Sequence, residues 1–129
     1  RLSNTGVGQV AIEAALTGPQ THLEGLRNKL AKRANITYKR LNEIDGLSCV
    51  KPRGAFYAFP RINFQLESDK DFVIKLVKEE AVLVVHGEGF GQKKGSHHFR
   101  IVYLPPEDIL EEAFTRIERF IKKNYKTQV

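Results

Sequence analysis

Apolar residues recur every three or four positions along several stretches of the chain, which is the spacing of a helix with one buried face. This spacing predicts a short apolar helix over residues 9–16 and a much longer helix over residues 20–44. Thr17-Gly18-Pro19 separates the two helices, and Asp45-Gly46 ends the second. Because ~25 helical residues span about 40 Å, we expect the longer helix to bridge two bodies.

Shorter apolar runs predict the strands of a small sheet. Residues 47–51 and 55–62 are predicted strands, joined by Pro52-Arg53-Gly54 in a hairpin or a sharp bend. The continuous apolar run 82–85 predicts a buried strand. Alternation along residues 99–104 predicts a strand with one fully apolar face.

Two further helices complete the predicted fold. Ser68, followed three residues later by Asp71, forms a capping box that opens a helix ending near Glu80. After Pro105-Pro106, an apolar stripe predicts a final helix, with acidic residues at its positive end and lysines at its negative end. These elements predict an α+β fold: a small, mostly antiparallel sheet of about four strands packed by helices in a two-layer sandwich.

Composition places the chain among ordinary globular domains. It has 129 residues, of which 41% are hydrophobic and 28% charged, enough for one core. The single cysteine, Cys49, excludes an internal disulfide and favours a reducing, cytoplasmic setting. No apolar run approaches the ~18 residues of a membrane span. Because the sequence starts at Arg1 and contains no methionine, we expect a piece of a longer protein.

The net charge of +6 raises the possibility of a nucleic-acid partner. The lysines and arginines are scattered, however, and neither zinc-finger spacing nor an RNP-type aromatic strand is present. We therefore expect no nucleic-acid partner and retain a basic α+β nucleic-acid-binding module only as an alternative.

A glycine-rich loop and three histidines are candidate sites of chemistry. Gly87, Gly89 and Gly91 resemble a dinucleotide fingerprint, but a strand rather than a helix follows them, so we expect a mobile loop that forms a lid or wall. His97 and His98 are adjacent on a strand and therefore point to opposite faces. With His86 as the third histidine and no cysteine or carboxylate at ligand spacing, no metal site is predicted.

Arg100 is the most informative residue of the alternating strand 99–104. Its guanidinium is always charged, and its planar fork of donors fits a carboxylate or a phosphate. One interpretation is an ion pair with a nearby carboxylate of the protein, and the other is an anchor for a carboxylate ligand. The residues alone leave both open.

Three motifs together resemble a known family. The chain resembles the C-terminal part of class I/II aminotransferases at three segments, which match in order and spacing. They are "KPRGAFYAFPRI" (51–62), "EEAVLVVHGEGFG" (79–91) and "HHFRIVYLPPEDILEEAFTRIERF" (97–120). These are pyridoxal-phosphate (PLP) enzymes of fold type I, and the alanine aminotransferase branch is the most similar. The resemblance implies the small-domain fold, with residues 1–19 ending the large-domain segment and residues 20–129 forming the small C-terminal domain with its connecting helix.

The resemblance also implies roles for individual residues. Arg100 matches the arginine that binds the substrate α-carboxylate, and Gly87 and Phe90 match a loop that approaches the active site. His86 belongs to the same loop but departs from the proline that is commoner there in the family. The Schiff-base lysine of the family and the aspartate that pairs with its cofactor ring have no counterpart in this chain. We therefore expect PLP to be bound by the absent large domain, and the chain to be inactive alone.

The implied parent enzyme moves an amino group between an amino acid, with alanine and glutamate preferred, and a 2-oxo acid. A homodimer without a membrane partner is expected. A carbon–sulfur lyase or an acyl-transferring synthase of the same fold type would share the arginine and remains an alternative.

Overall fold

The elements of the chain follow one another in the predicted order over residues 4–125, the part that the computed structural model describes. The helices are α1 (Gly6–Thr17), α2 (Thr21–Glu43), α3 (Asp69–Glu80) and α4 (Glu107–Asn124). The strands are β1 (Leu47–Ser48), β2 (Tyr57–Ala58), β3 (Arg61–Ile62), β4 (Val85–His86) and β5 (His97–Val102), and a 3₁₀ turn spans Glu88–Phe90. The predicted α+β class is confirmed.

The longest strand, β5, organises the antiparallel sheet. β4 pairs with one edge of β5, while β2 and β3 both pair with the other edge, and β1 pairs with β3. Pro60 interrupts the line from β2 to β3 because it has no amide hydrogen, yet its carbonyl still accepts the Phe99 amide at 3.2 Å. The predicted strand 55–62 is therefore interrupted and forms the two short strands β2 and β3. Because β2 and β3 lie in one line along β5, they occupy a single position in a sheet of about four strands.

The predicted strand 47–51 ends early, at Ser48. The Asn42 side chain binds both backbone polar groups of Cys49 in place of a neighbouring strand. Its Oδ1 accepts the Cys49 amide at 3.0 Å, and its Nδ2 donates to the Cys49 carbonyl at 3.1 Å. The following Pro52-Arg53-Gly54 segment is a bend rather than a tight hairpin, since β2 pairs with β5 and not with β1.

The prediction of a buried strand over residues 82–85 is wrong. Only Val85 of this run lies in a strand, Val84 is buried, and Leu83 is 82% exposed. The segment lies at the sheet edge and has a neighbouring strand on one side only, so its apolar character does not reflect burial on both faces.

The inner face of the sheet and three helices form the core. Phe99, Ile101 and Tyr103 alternate along β5 and its extension and are all buried. The ring of Phe72 on α3 lies 5.5 Å from the ring of Phe99 and 5.4 Å from that of Phe120 on α4. The α4 residues of the predicted apolar stripe that are buried are Leu110, Phe114, Ile117, Phe120 and Ile121.

The two N-terminal helices reach beyond this core. Only the second half of α2 contributes buried residues, namely Ala34, Thr37 and Leu41, while Leu23 and Leu26 are about half exposed. α1 buries no residue. Within residues 4–125, no helix is both long enough and apolar enough to cross a membrane.

Candidate functional site

Arg100 lies on the outer face of the sheet, because its neighbours Phe99 and Ile101 both take the inner face. Its guanidinium carbon is 4.6 Å from the centre of the Tyr57 ring and 4.2 Å from that of the Phe90 ring. A cation within about 6 Å of an aromatic face is attracted by the ring quadrupole. The two rings, one on β2 and one on the 3₁₀ turn, therefore flank the charge and restrict its orientation.

The half-buried Arg100 cation has no acidic partner in the described part of the chain. No Asp or Glu oxygen between residues 4 and 125 lies within ion-pair distance of it. Its Nε is buried and makes no hydrogen bond to any residue that the structure describes. The ion-pair interpretation therefore finds no partner here, whereas a planar anion from outside would satisfy the free donors of the fork.

Aromatic rings continue across the same outer face. The Phe59 ring stacks on the imidazole of His98, with ring centres 4.8 Å apart and planes within 5° of parallel. Phe59 also meets Phe90 edge to face at 6.1 Å. Phe90 thus contacts both the arginine and this stacked pair, so its position depends on how the glycine-rich loop is held.

Gly87 brings the loop unusually close to β5. Its amide donates to the His98 carbonyl at 2.9 Å, and a Cβ added at this position would lie 2.7 Å from that oxygen and 2.8 Å from His98 Cβ. The Gly87 φ of −78° is accessible to any residue. Glycine is therefore required here for space rather than for a special backbone angle.

Asp69 is a site residue that the sequence reasoning missed. It is the first residue of α3 and is buried. Its Oδ2 accepts the Glu88 amide at 3.0 Å, and it shares the Gly87 amide with the His98 carbonyl, each acceptor lying 2.9 Å from the nitrogen. The side-chain Nε2 of Gln92 donates to the same oxygen at 3.0 Å. In the sequence, Asp69 is simply an acidic residue in the first turn of a helix, and nothing local indicates its partners.

The Gln92 side chain connects Asp69 to His98. Because its amide nitrogen donates to Asp69, its Oε1 faces His98 Nδ1 at 3.3 Å as an acceptor, and the proton belongs on Nδ1. Burial, followed by the nearby charge of Arg61, lowers the pKa of His98 below its ordinary value. The ring that stacks on Phe59 is therefore neutral at neutral pH.

The predicted loop residues follow one another along the chain, and the ring of Phe90 contacts Arg100. His86 is half-buried on β4, and its Nδ1 is buried without a hydrogen-bond partner. Asp69, His86 and Glu88 each place one ligand atom within 4.8 Å of the others, so the fold supplies carboxylates that the local spacing did not show. The carboxylate of Asp69 is already engaged by three donors, and we assign no metal to this cluster.

Cys49 packs in the core. It is buried, and burial raises the pKa of its thiol. A buried thiol that stays protonated is a poor nucleophile.

The family described as aminotransferase class I and II matches residues 2–117 of the chain. The chain belongs to this aminotransferase family. The family resemblance of the three sequence motifs is thereby confirmed.

The relatives of this chain are aminotransferases that are named for different amino acids. The chain is 42% identical over 125 residues to an aspartate aminotransferase of Bacillus subtilis, covering 93% of this chain and 31% of the relative. It is 42% identical over 118 residues to the glutamate-pyruvate aminotransferase AlaA of Haemophilus influenzae, covering 88% and 29%. A solved alanine aminotransferase from Pyrococcus furiosus superimposes with a TM-score of 0.81 and 50% identity, covering 86% of this chain and 28% of that one. The chain thus spans about 30% of the length of these aminotransferases.

The part of an aminotransferase present here does not fit the family cofactor, PLP. Holding PLP takes a lysine able to form a Schiff base in a shielded pocket. Every lysine between residues 4 and 125 is exposed.

Proposed function

We propose that this chain is the C-terminal part of a PLP-dependent aminotransferase, in which Arg100 binds the α-carboxylate of the substrate. One observation carries the proposal. The guanidinium of Arg100 is flanked by Tyr57 and Phe90 and has no carboxylate partner among residues 4–125, while its Nε is buried and unsatisfied.

The chemistry of a carboxylate anchor suits this arrangement. A guanidinium presents two parallel N–H donors to the two oxygens of a carboxylate, and such charge-assisted pairs are roughly twice as strong as neutral hydrogen bonds. The flanking rings of Tyr57 and Phe90 limit rotation of the fork, so less freedom is lost on binding. Amino acids and 2-oxo acids both carry the α-carboxylate, so one arginine serves both directions of amino transfer.

The exposed N-terminal helices support a division of the parent enzyme into two domains. α1 buries no residue, and Leu23 and Leu26 in the first half of α2 remain about half exposed. We assign residues 1–19 to the end of the large domain and residues 20–129 to the small domain with its connecting helix. PLP and the lysine that holds it then belong to the large domain, and the parent is a cytoplasmic homodimer.

The amino donor is the finer part of the proposal. Alanine and glutamate are favoured because a 50% identical structure is named alanine aminotransferase and a 42% identical relative is named glutamate-pyruvate aminotransferase. Aspartate is the main competitor, since another relative with 42% identity is named aspartate aminotransferase.

The test is an amino-transfer assay of the full-length protein that contains this chain. With PLP and 2-oxoglutarate present, we expect alanine to yield pyruvate and glutamate, faster than aspartate yields oxaloacetate. The 129-residue chain with PLP should turn over neither amino acid, because its lysines between residues 4 and 125 are all exposed. Thiol release or acyl transfer by the full-length protein, without amino transfer, would instead identify a lyase or a synthase and overturn the proposal.

A further inference from the structure

We propose that Asp69 is a positioning residue for substrate binding, because it fixes the 87–92 loop that places Phe90 against Arg100. The proposal rests on the proposed role of Arg100 as the carboxylate anchor. Asp69 itself is only 4% exposed, on the inner side of the loop, and therefore acts through the loop rather than on the substrate.

The environment of Asp69 explains why it determines the shape of the loop. A buried carboxylate requires partners, and no lysine or arginine of the described chain forms an ion pair with it. Its partners are two consecutive backbone amides, Gly87 and Glu88, together with the Gln92 side chain. Its place at the N-terminus of α3 adds the favourable helix dipole. Three donors within six residues therefore converge on one oxygen and fix both ends of the loop.

A short path of contacts connects this anchor to Arg100. Glu88, whose amide binds Asp69, begins the 3₁₀ turn, and the amide of Phe90 closes that turn on the Gly87 carbonyl at 2.9 Å. The Phe90 ring at the end of the turn lies 4.2 Å from the guanidinium carbon of Arg100. Asp69 thus holds the start of a hydrogen-bonded turn, and Phe90 at the end of that turn lies beside Arg100.

A second path runs through side chains to the same ring. Gln92, held by Asp69, accepts from His98, and His98 stacks on Phe59. Phe59 then meets the edge of Phe90 at 6.1 Å. Both paths end on Phe90. Weakening the hydrogen bonds that Asp69 accepts should therefore make this ring mobile even while the core of the domain stays intact.

The two paths predict a particular kinetic effect. A loosened Phe90 leaves Arg100 free to rotate, which weakens its grip on the α-carboxylate in the ground state and in the transition state alike. Loss of such uniform binding raises KM and leaves kcat nearly unchanged. Loss of folded protein alone would instead lower the amount of active enzyme without changing KM.

The experiment compares Asp69→Asn with Asp71→Asn in the full-length protein. Asp71 lies in the same turn of α3 and is exposed, and its side chain contacts no donor of the loop, so Asp71→Asn matches the charge change. For Asp69→Asn we expect KM to rise about tenfold for both alanine and 2-oxoglutarate, equivalent to about 1.4 kcal/mol. We expect kcat to change less than twofold, and the amide of Glu88 to exchange hydrogen about tenfold faster, while the Gly87 amide keeps its bond to the His98 carbonyl. Asp71→Asn should leave all these values unchanged.

A second variant keeps the test valid if Asp69→Asn folds poorly. Gln92 is half-buried, and Gln92→Ala removes one donor to Asp69 and the link to His98, so this variant should also raise KM, by a smaller factor. Unchanged KM in both variants of an active enzyme would overturn the positioning role and leave the Arg100 proposal standing. A wild-type protein without amino transfer would overturn the proposed function. Hydrogen exchange at the Glu88 amide would then still decide whether Asp69 holds the loop.

Discussion

Arg100 shows how one residue can be charged, half-buried and still stable in an apolar setting. Strand alternation places it opposite the core, between residues whose side chains are fully buried. A lysine would present a compact, strongly hydrated ammonium there, whereas the guanidinium is planar, weakly hydrated and stacks on aromatic faces. The rings of Tyr57 and Phe90 therefore offset part of the desolvation cost and leave the donor edge of the fork for a ligand.

Gly87→Ala tests the close approach of the loop to β5. A Cβ at Gly87 would lie 2.5 Å from Gln92 Oε1 and 2.7 Å from the His98 carbonyl, and that carbonyl cannot move without disturbing the strand. We expect Gly87→Ala to destabilise the folded protein by about 1–3 kcal/mol, as overpacking does. The measurement is the midpoint of urea unfolding.

Gly89→Ala is the matched control for Gly87→Ala. It lies in the same turn, and its added Cβ would have no atom within 4 Å. We expect its stability to stay within about 0.5 kcal/mol of wild type. Equal effects of the two substitutions would show that glycine flexibility, rather than the space at Gly87, matters in this loop.

The sequence allowed Arg100 to be singled out but not Asp69. A charged residue within an alternating apolar strand is visible locally, because the period of two assigns it a face. The partners of Asp69 lie 18 and more residues away along the chain, so only the fold shows the contact. Phe90 was predicted as part of a loop near the active site, while its contact with Arg100 required the structure.

At the scale of elements, the observed bounds of the helices agree with the predicted ones more closely than those of the strands do. The predicted capping residue Ser68 accepts the Asp71 amide at 3.2 Å, and α4 begins directly after Pro106. These signals act within one turn and are therefore readable from local sequence. β1 and β4 are only two residues long because pairing partners and the Asn42 side chain set their ends, which are distant effects.

The contact between α2 and α4 predicts an acid-sensitive step in stability. Glu107 at the start of α4 binds Arg33 at 2.8 Å and Lys32 at 3.2 Å, and these hydrogen bonds lower the pKa of Glu107 below its ordinary value of 4.5. A carboxylate with a lowered folded-state pKa contributes stability above pH 4.5, which is lost as pH falls through the folded value. Glu107→Gln should therefore be less stable than wild type at pH 7 and should lose less stability between pH 5 and pH 3.

Urea unfolding at steps from pH 7 to pH 3 measures this effect in the full-length protein. Asp108→Asn is the control, because Asp108 is the exposed neighbour of Glu107 in the same helical turn and has no ion-pair partner within residues 4–125. Its pH dependence should follow that of wild type. If Glu107→Gln also kept the wild-type pH dependence, the ion pairs of Glu107 with Arg33 and Lys32 would contribute nothing to acid stability.

At the scale of the whole molecule, two surfaces distinguish this chain from a self-contained domain. α1 and the first half of α2 expose apolar side chains. The outer face of the sheet exposes Tyr57, Phe59 and Phe90 around Arg100, which has no acidic partner among residues 4–125. The chain also covers only about 30% of its aminotransferase relatives. The fold class and the family could be predicted from periodicity and motifs. A lysine that holds PLP could not be predicted, because every lysine among residues 4–125 is exposed.

The most direct test of Arg100 as the carboxylate anchor is steady-state kinetics of Arg100→Lys and Arg100→Ala in the full-length protein. Arg100→Lys keeps the charge but loses the bidentate fork, so KM should rise for every amino acid and 2-oxo acid alike. Arg100→Ala should reduce kcat/KM by roughly 100-fold, which corresponds to about 3 kcal/mol of charge-assisted hydrogen bonding. Both variants should melt close to the wild-type temperature. The control is Arg53→Ala, which replaces an exposed arginine in the bend after β1 and should behave as wild type. If Arg100→Ala instead unfolded the protein while the surviving fraction kept full kcat/KM, Arg100 would be a structural residue and the anchor would lie elsewhere.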